Sequence, residues 1–377
     1  MTLKPDTQHP SYAKGLARWK KCRDVLEGED AVHAAGTAYL PRLSGQDDNE
    51  YNAYVERTPF YGATSRTVDG YVGMIFRKQP DLNTSGIDNL VQDITLADTT
   101  IHEFAEAIAR EVIGVGRFGV LVEYPIVTDQ RPTVAQAQAA NHRPYATSYP
   151  AESIFNWRVE RVNNSMQLTM LALKEAVTEW KSDFESESIE QIRGLFLELG
   201  ESGYQYVQRV YRKSAENGKS GAWMQVGEDI IPVMRGKPLP YIPFQFFGPG
   251  HNGPEIQKPP IYGMVTLNLS HYRSTASLEY GAHFTGLPTV VVTGYQVGEN
   301  EKLSIGSANA WVFPDSNASA KYLEFTGQGL DALENIINRK QDQMAAIGAR
   351  MLSPEKSAAE AAETVKLRHA GEGAVLS

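Results

Sequence analysis

Between Pro259 and Gly294 the apolar residues Tyr262, Val265, Leu269, Tyr272, Ala276 and Tyr280 recur at steps of three and four. That spacing gathers side chains on one face of an α-helix, so a long helix is predicted over Pro260–Phe284. Gly286, Leu287 and Pro288 stop it, and the β-branched run Val290–Val292 then reads as a short buried strand. A second stripe of the same period follows in Leu330, Leu333, Ile337, Met344, Ile347 and Met351. Two long helices thus bracket a small β module, a shape suited to assembly and carrying no visible chemistry.

Upstream, Leu16, Trp19, Cys22 and Val25 predict a first amphipathic helix over Tyr12–Val32, ending near Gly28. The segment GTAYLPRLSGQDDNEYN reads as a loop. Tyr51–Phe76 reads as mainly helical, with Tyr54, Phe60, Val68, Val72 and Ile75 inward. Ile87–Val115 follows as one long helix carrying Ile101, Phe104, Ala105, Ile108 and Val112 inward, with Thr84 and Ser85 as caps. Phe118–Val122 is a compact apolar run before Tyr124 and Pro125, the pattern of a buried strand. Thr128–Pro144 is polar and rich in Ala and Gln, hence a surface loop or short exposed helix.

From Ala146 to Phe247 the pattern changes to strands: SIFNWRV, LTMLALKEAV, IRGLFLEL, YQYVQRVYR and IPFQFF, separated by turns such as ENGKSG and RGKPLP. Lys181–Glu190, KSDFESESIE, reads as a solvated excursion, and Phe247–Pro260 as a linker rich in Pro and Gly. The predicted fold class is α+β.

Composition narrows the function classes. With 377 residues the chain can bury a large core, and 42% hydrophobic with 21% charged residues is ordinary for a folded protein. The net charge of −9 argues against a surface that grips phosphates by counterion release, which needs a basic face. Cys22 is the only cysteine, so neither an intrachain disulfide nor a thiolate metal cluster is expected. The N-terminal residues lack a basic region followed by an apolar core, and no run approaches the roughly 18 apolar residues of a membrane span. A chain made in the cytosol, with no membrane partner, is expected.

One motif invites a cofactor. Gly114, Gly116 and Gly119 spell G-x-G-x-x-G, but a dinucleotide site needs these glycines after a strand and before a helix. Here a predicted helix precedes them and a strand follows, which would aim the negative helix C-terminus at a phosphate. A glycine-rich helix stop is the better reading. The histidines His102, His251, His271 and His283 lack any helical zinc spacing, and neither a G-x-S-x-G elbow nor a phosphate loop is present. No metal, no cofactor and no catalytic residue is expected, and an energy-driven role would need a partner ATPase. Arg339, Lys340 and Arg350 on the second long helix could face nucleic acid, but Asp331, Glu334 and Asp342 make a solvated mixed-charge face the default.

The order of these pieces, with several specific words, resembles the portal proteins of tailed bacteriophages. The words are Trp19 with GEDAV, AYLPR, YNAYVERTPFYGATSRTVDGYVGMIFRKQP from Tyr51 to Pro80, and GRFGVLVEYP from Gly116 to Pro125. Further on come PAESIFNWRVE from Pro150, KPLPYIPFQFFGP from Lys237, LNLSHYRSTASLEYGAHFTGLPTVVVTG from Leu267, and KQDQMAAIGARML from Lys340. Together they cover nearly the whole chain. The Tyr51–Pro80 word and LNLSHYR are the specific ones.

The resemblance implies a portal-like α+β architecture: a wing over 1–258, a first stem helix over 259–286, a β-rich clip over 287–327 and a second stem helix over 328–352. Tunnel loop and following helix would occupy 353–377, with the crown absent. The stem helices would be antiparallel and pack through Tyr262, Val265, Leu269, Tyr272, Leu333, Ile337, Met344 and Ile347. Ser353, Pro354, Glu355, Lys356 and Ser357 would form the DNA-tunnel loop, with Lys356 and Glu355 reaching the constriction. A non-enzymatic homo-oligomer is implied, a ring of about twelve copies around a closed rotation axis. The ring would stand at one capsid vertex of the virion after assembly in the host cytoplasm. Its partners would be double-stranded DNA passing without sequence specificity, the terminase large subunit, head-completion or adaptor proteins and the capsid protein. Another head component, an adaptor or capsid protein, is the alternative reading, and a nucleotide-binding enzyme the least supported.

Overall fold

A computed structural model describes residues 4–83, 88–125, 133–201, 203–216, 219–285, 289–294, 318–323 and 328–348. Helix and strand are mixed, and every described strand pair is antiparallel. The chain forms two compact units. One comprises the described parts of Met1–Glu27, Gly62–Thr266 and Gly348–Ser377, the other Gly28–Tyr61 and Leu267–Ile347.

In the first unit, α1 (Tyr12–Glu27) buries Tyr12, Gly15, Trp19, Cys22 and Val25, a stripe at steps of three and four. Leu16, expected inward, is 38% exposed, because it lies off that stripe. The helix ends where Gly28 takes φ 115°, a conformation open to glycine and costly elsewhere. A separate short helix, α2 (Glu29–Ala34), follows in place of the expected continuation to Val32.

The predicted Tyr51–Phe76 helix is two helices, α3 (Asp48–Arg57) and α4 (Ala63–Ile75). Thr58 is extended at φ −89°, ψ 110°, as the residue before a proline prefers to be, and Pro59 ends the helix. The start of α3 lies inside the expected loop, fixed by a capping box in which Asp47 and Glu50 exchange side-chain to backbone hydrogen bonds. Ile75 is 42% exposed, at the last turn of α4. Likewise, Ile87–Val115 is interrupted. After α5 (Asp88–Gln92) the chain turns through Leu96 and Asp98, both at positive φ. Then α6 (Ile101–Gly114) begins at a second capping box, Thr100 with Glu103. The caps expected at Thr84 and Ser85 lie outside the described residues.

Helix α6 runs into Gly116, at φ +82°, and then into β1 (Phe118–Glu123). All three glycines of the apparent cofactor motif answer to packing. A Cβ on Gly119 would come within 2.2 Å of Phe244, one on Gly114 within 2.8 Å of Leu26, and one on Gly116 within 2.9 Å of the Pro259 backbone. After the short exposed helix α7 (Val134–Ala139), β2 (Tyr145–Pro150) pairs with β1. Strands β3 (Ile154–Val162), β4 (Ser165–Trp180), β5 (Ser186–Gly200), β6 (Gly203–Glu216) and β7 (Lys219–Ile230) form a five-stranded meander in sequence order. The β3–β4 turn is Asn163–Asn164, both at positive φ, the two-residue primed turn that matches strand twist. Arg235–Gly236 does the same between β8 (Val233–Met234) and β9 (Lys237–Pro238). Strand β10 (Phe244–Phe247) then pairs with the other edge of β1.

Ser186–Glu190, expected in a solvated excursion, are the first residues of β5 and pair with Ala176–Trp180, although they remain solvent-facing. The segment after β10 is packed and not a free linker. Arg117 Nη1 donates to the Pro254 carbonyl at 2.6 Å, Ile256 packs against the core, and Pro259 is buried. The main core lies between the sheets, with Leu121, Ile154, Leu171, Leu173, Leu195 and Tyr206 fully or almost fully enclosed. An ionic cluster joins them at its edge. Glu175 is paired with Arg193 at 2.7 Å and accepts from Tyr149 at 2.6 Å and Gln191 at 2.7 Å, while Glu123 engages Arg193 and Thr147.

Candidate functional site

The first long apolar stripe lies on α8 (Tyr262–Thr285), followed by β11 (Thr289–Thr293), β12 (Ser319–Leu323) and α9 (Gln328–Gly348). In the second unit, α9 runs antiparallel to α8. Gly281 of α8 lies against Leu330 of α9, where an added Cβ would be 2.7 Å from the leucine methyl. Ten residues back along α8, His271 Nε2 lies 3.1 Å from Gln341 Nε2. Lys340 donates from Nζ to the Ser270 carbonyl at 2.9 Å and to Ser274 Oγ at 2.6 Å. Position thus rises along one helix as it falls along the other.

The expected packing residues divide by depth. Val265, Leu269 and Tyr272 are buried on α8, and Ile337 and Met344 on α9. Leu333 is half-buried. Ile347 is 49% exposed, one residue before the end of α9. Tyr262, within the first unit, is half-buried with Arg18, Lys21 and Lys258 over its ring. The strand Thr289–Thr293 forms as expected, but Val291 is 40% exposed. Among the described residues it belongs to a two-stranded pair, which has no second layer of its own. Ser353, Pro354, Glu355, Lys356 and Ser357, together with Met351 and Arg350, lie outside the described residues.

Periodicity marks Tyr54, Phe60, Tyr272 and Tyr280 but not their partners His33, Glu29 and Asn268. Tyr272 is enclosed by Phe60, edge-on at 5.7 Å, and by His33 at 6.0 Å, and Tyr280 meets Tyr54 edge-on at 5.5 Å. Asn268, completely buried, donates to the Tyr61 carbonyl at 2.9 Å. His33 shares a 2.9 Å hydrogen bond with the Thr58 carbonyl, and Glu29 accepts from the Phe60 amide at 2.7 Å. The segment Gly28–Tyr61 therefore supplies a wall for α8 that one-dimensional periodicity does not reveal. Its signal was the density of Tyr and Phe between Tyr39 and Tyr61.

The polar contacts between α8 and α9 are charged on one side only. Lys340 has serine acceptors and no carboxylate partner among the described residues, and burial, followed by the charge on Arg273, pulls its pKa down. Burial, followed by Lys340, also lowers the pKa of His271. The site thus holds a neutral imidazole packed beside a cation, with Thr275 and Gln341 as its neighbours. Lys340 is committed to the helix pair and is not displayed toward nucleic acid. Among the described residues no group of three His, Cys, Asp or Glu side chains is arranged to hold a metal ion, and no helix is long and apolar enough to cross a membrane.

A family described as a domain of unknown function (DUF4055) matches residues 260–377. The match begins two residues before α8 and takes in β11, β12 and α9. No curated protein matches the chain.

Proposed function

We propose that this chain is a portal-type structural protein of a tailed bacteriophage. Copies assemble into a ring of about twelve around a closed rotation axis, which stands at one capsid vertex and conducts duplex DNA during packaging and ejection. The observation that carries the reading is the antiparallel α8–α9 pair bracketing the β11–β12 strands, the helix, β module, helix order to which the sequence resemblance points. In this reading α8 and α9 are the stem and β11–β12 belong to the clip. The terminase large subunit, head-completion or adaptor proteins and the capsid protein are the partners, and the chain itself is not an enzyme. A net charge of −9 per copy favours passage, because few phosphate neutralisations keep the conduit from holding DNA.

The test is the particle itself. Purified full-length chain, examined by native mass measurement and electron microscopy, is expected to form rings of about twelve copies with a central hole. A chain that remains monomeric or dimeric across concentration and salt, and also when co-expressed with its capsid protein, overturns the reading. In packaging assays Lys356→Ala is expected to alter DNA translocation or retention while rings still form. Unchanged packaging and retention remove Lys356 from the tunnel role.

A further inference from the structure

Strands β4 and β5 form an arm that ends in the turn Lys181–Glu185 at one end of their sheet. They remain paired out to Trp180–Ser186, and the neighbouring β6–β7 hairpin is paired out to Glu216–Lys219. At the tip, Trp180 is 70% and Phe184 94% exposed, the two most exposed aromatic side chains described. The turn is ordered: the Lys181 amide donates to the Glu185 carbonyl at 2.8 Å, and Ser182 Oγ accepts from the Glu185 amide at 3.1 Å. A large apolar ring held out to water on a preformed turn is the form of an anchor, since little ordering entropy remains to be lost on docking. Around it the charge is acidic. Lys181 is taken up by Glu187 at 2.5 Å, and Asp183 and Glu185 have no cationic partner among the described residues.

Elsewhere in the same unit lies a pocket of complementary character. Its volume is about 600 Å³, and it opens between α1, β3 and the Pro254–Ile256 segment. Ile256 and Trp157, whose ring is stacked by His9 at 3.9 Å, line it, and Lys14 and Arg18, one turn apart on α1, place two cations at it with no carboxylate in ion-pair contact among the described residues, against the single carboxylate of Glu255. Arg158, also at the pocket, is occupied by Glu160 at 3.2 Å. Gly15 makes the close approach of α1 to this wall workable, since an added Cβ would meet Trp19 at 2.8 Å and Ile256 at 2.9 Å. A cavity of this size accepts an aromatic side chain with room to spare.

We propose that the aromatic tip of the β4–β5 arm docks into this pocket on a second copy of the chain, Phe184 against Ile256 and the His9–Trp157 stack, with Asp183 and Glu185 facing Lys14 and Arg18. The tip cannot serve its own pocket. Trp157 pairs with Leu171, and Trp180 lies nine residues further along β4, about 30 Å at roughly 3.3 Å per residue. Tip and pocket are different surfaces, so the contact is head-to-tail, and repetition closes a ring or grows a filament. The inference rests on the ring reading above and names a contact that would build it.

Variants on the full-length chain test it. Phe184→Ser is expected to weaken self-association about tenfold or more with an unchanged melting temperature. Lys14→Glu with Arg18→Glu is expected to weaken it similarly, and Asp183→Lys with Glu185→Lys to restore it when combined in the same chain. In a mixture of Phe184→Cys and Lys14→Cys chains, a short bis-maleimide is expected to join residue 184 of one copy to residue 14 of another. If the unaltered chain forms rings and Phe184→Ser leaves their formation unchanged, the contact is overturned while the portal reading stands. If Phe184→Cys chains cross-link only to each other, the tip pairs with another tip and the pocket assignment is wrong. If the unaltered chain does not associate, both readings fall together.

Discussion

Arg23 shows how much one side chain can hold. From α1 its guanidinium reaches both oxygens of Glu111 at 2.8 Å, and it holds Glu152 through Nε at 2.7 Å and Nη2 at 3.0 Å. Four charge-assisted bonds of fixed geometry join α1 to α6 and to the turn after β2. Removing the cation would leave two carboxylates facing each other in a half-buried site. Arg23→Ala is therefore expected to cost about 2–4 kcal/mol, read as a lower midpoint in urea unfolding with an unchanged slope. Cys22, one residue earlier, points into the core and is fully buried, and burial pushes its thiol up to about 12. Since the thiolate is the nucleophile, iodoacetamide at about pH 8 should label the folded chain far more slowly than the urea-unfolded chain. Rapid labelling without denaturant would contradict that packing. The burial of Cys22 was legible in the stripe of α1. The grip of Arg23 on two distant acids was not, because a pairing across 129 residues leaves no local trace.

At the scale of elements, the α8–α9 pair has a predictable response to acid. His271 is 3% exposed, with Lys340, Gln341, Thr275 and Tyr61 around it. Its folded pKa is lowered from the ordinary 6.5, first by burial and then by Lys340. A base whose folded pKa is depressed costs nothing while both states are neutral. As pH falls through the unfolded value, the unfolded chain takes up the proton first and stability is lost. The melting temperature is expected to fall between about pH 7 and pH 5, and the fall should be shallower in His271→Gln. Equal slopes in the two chains would show that His271 does not sense the pairing. Periodicity found both helices and the β module between them. It missed the breaks at Pro59 and near Asp98, where apolar spacing runs on through a turn. Val291, expected to be buried, is exposed: a β-branched run marks a strand, but only a covering layer buries one.

For the whole molecule, the particle measurement decides the assembly in which these surfaces function. The arm is an independent case. Phe184 contributes almost nothing to the isolated chain, so Phe184→Ser should change unfolding free energy by less than about 0.5 kcal/mol, and any loss of association then belongs to contact between copies. Within the sequence itself were already written the α+β class, the two long helices around a β module, the reversed order that disarms the glycine motif, and the turns that space the meander. All of these depend on local spacing, on backbone preferences of glycine, proline and asparagine, and on which residues follow which. Only the tertiary structure decided that Gly28–Tyr61 forms a wall for α8, that Arg23 joins two acids remote in sequence, that Lys340 turns inward to serines, and that Phe184 is left exposed while a cation-rimmed pocket opens on α1. These depend on which surfaces meet after folding, and such meetings are fixed by the sum of many packing choices that no single stretch of chain contains.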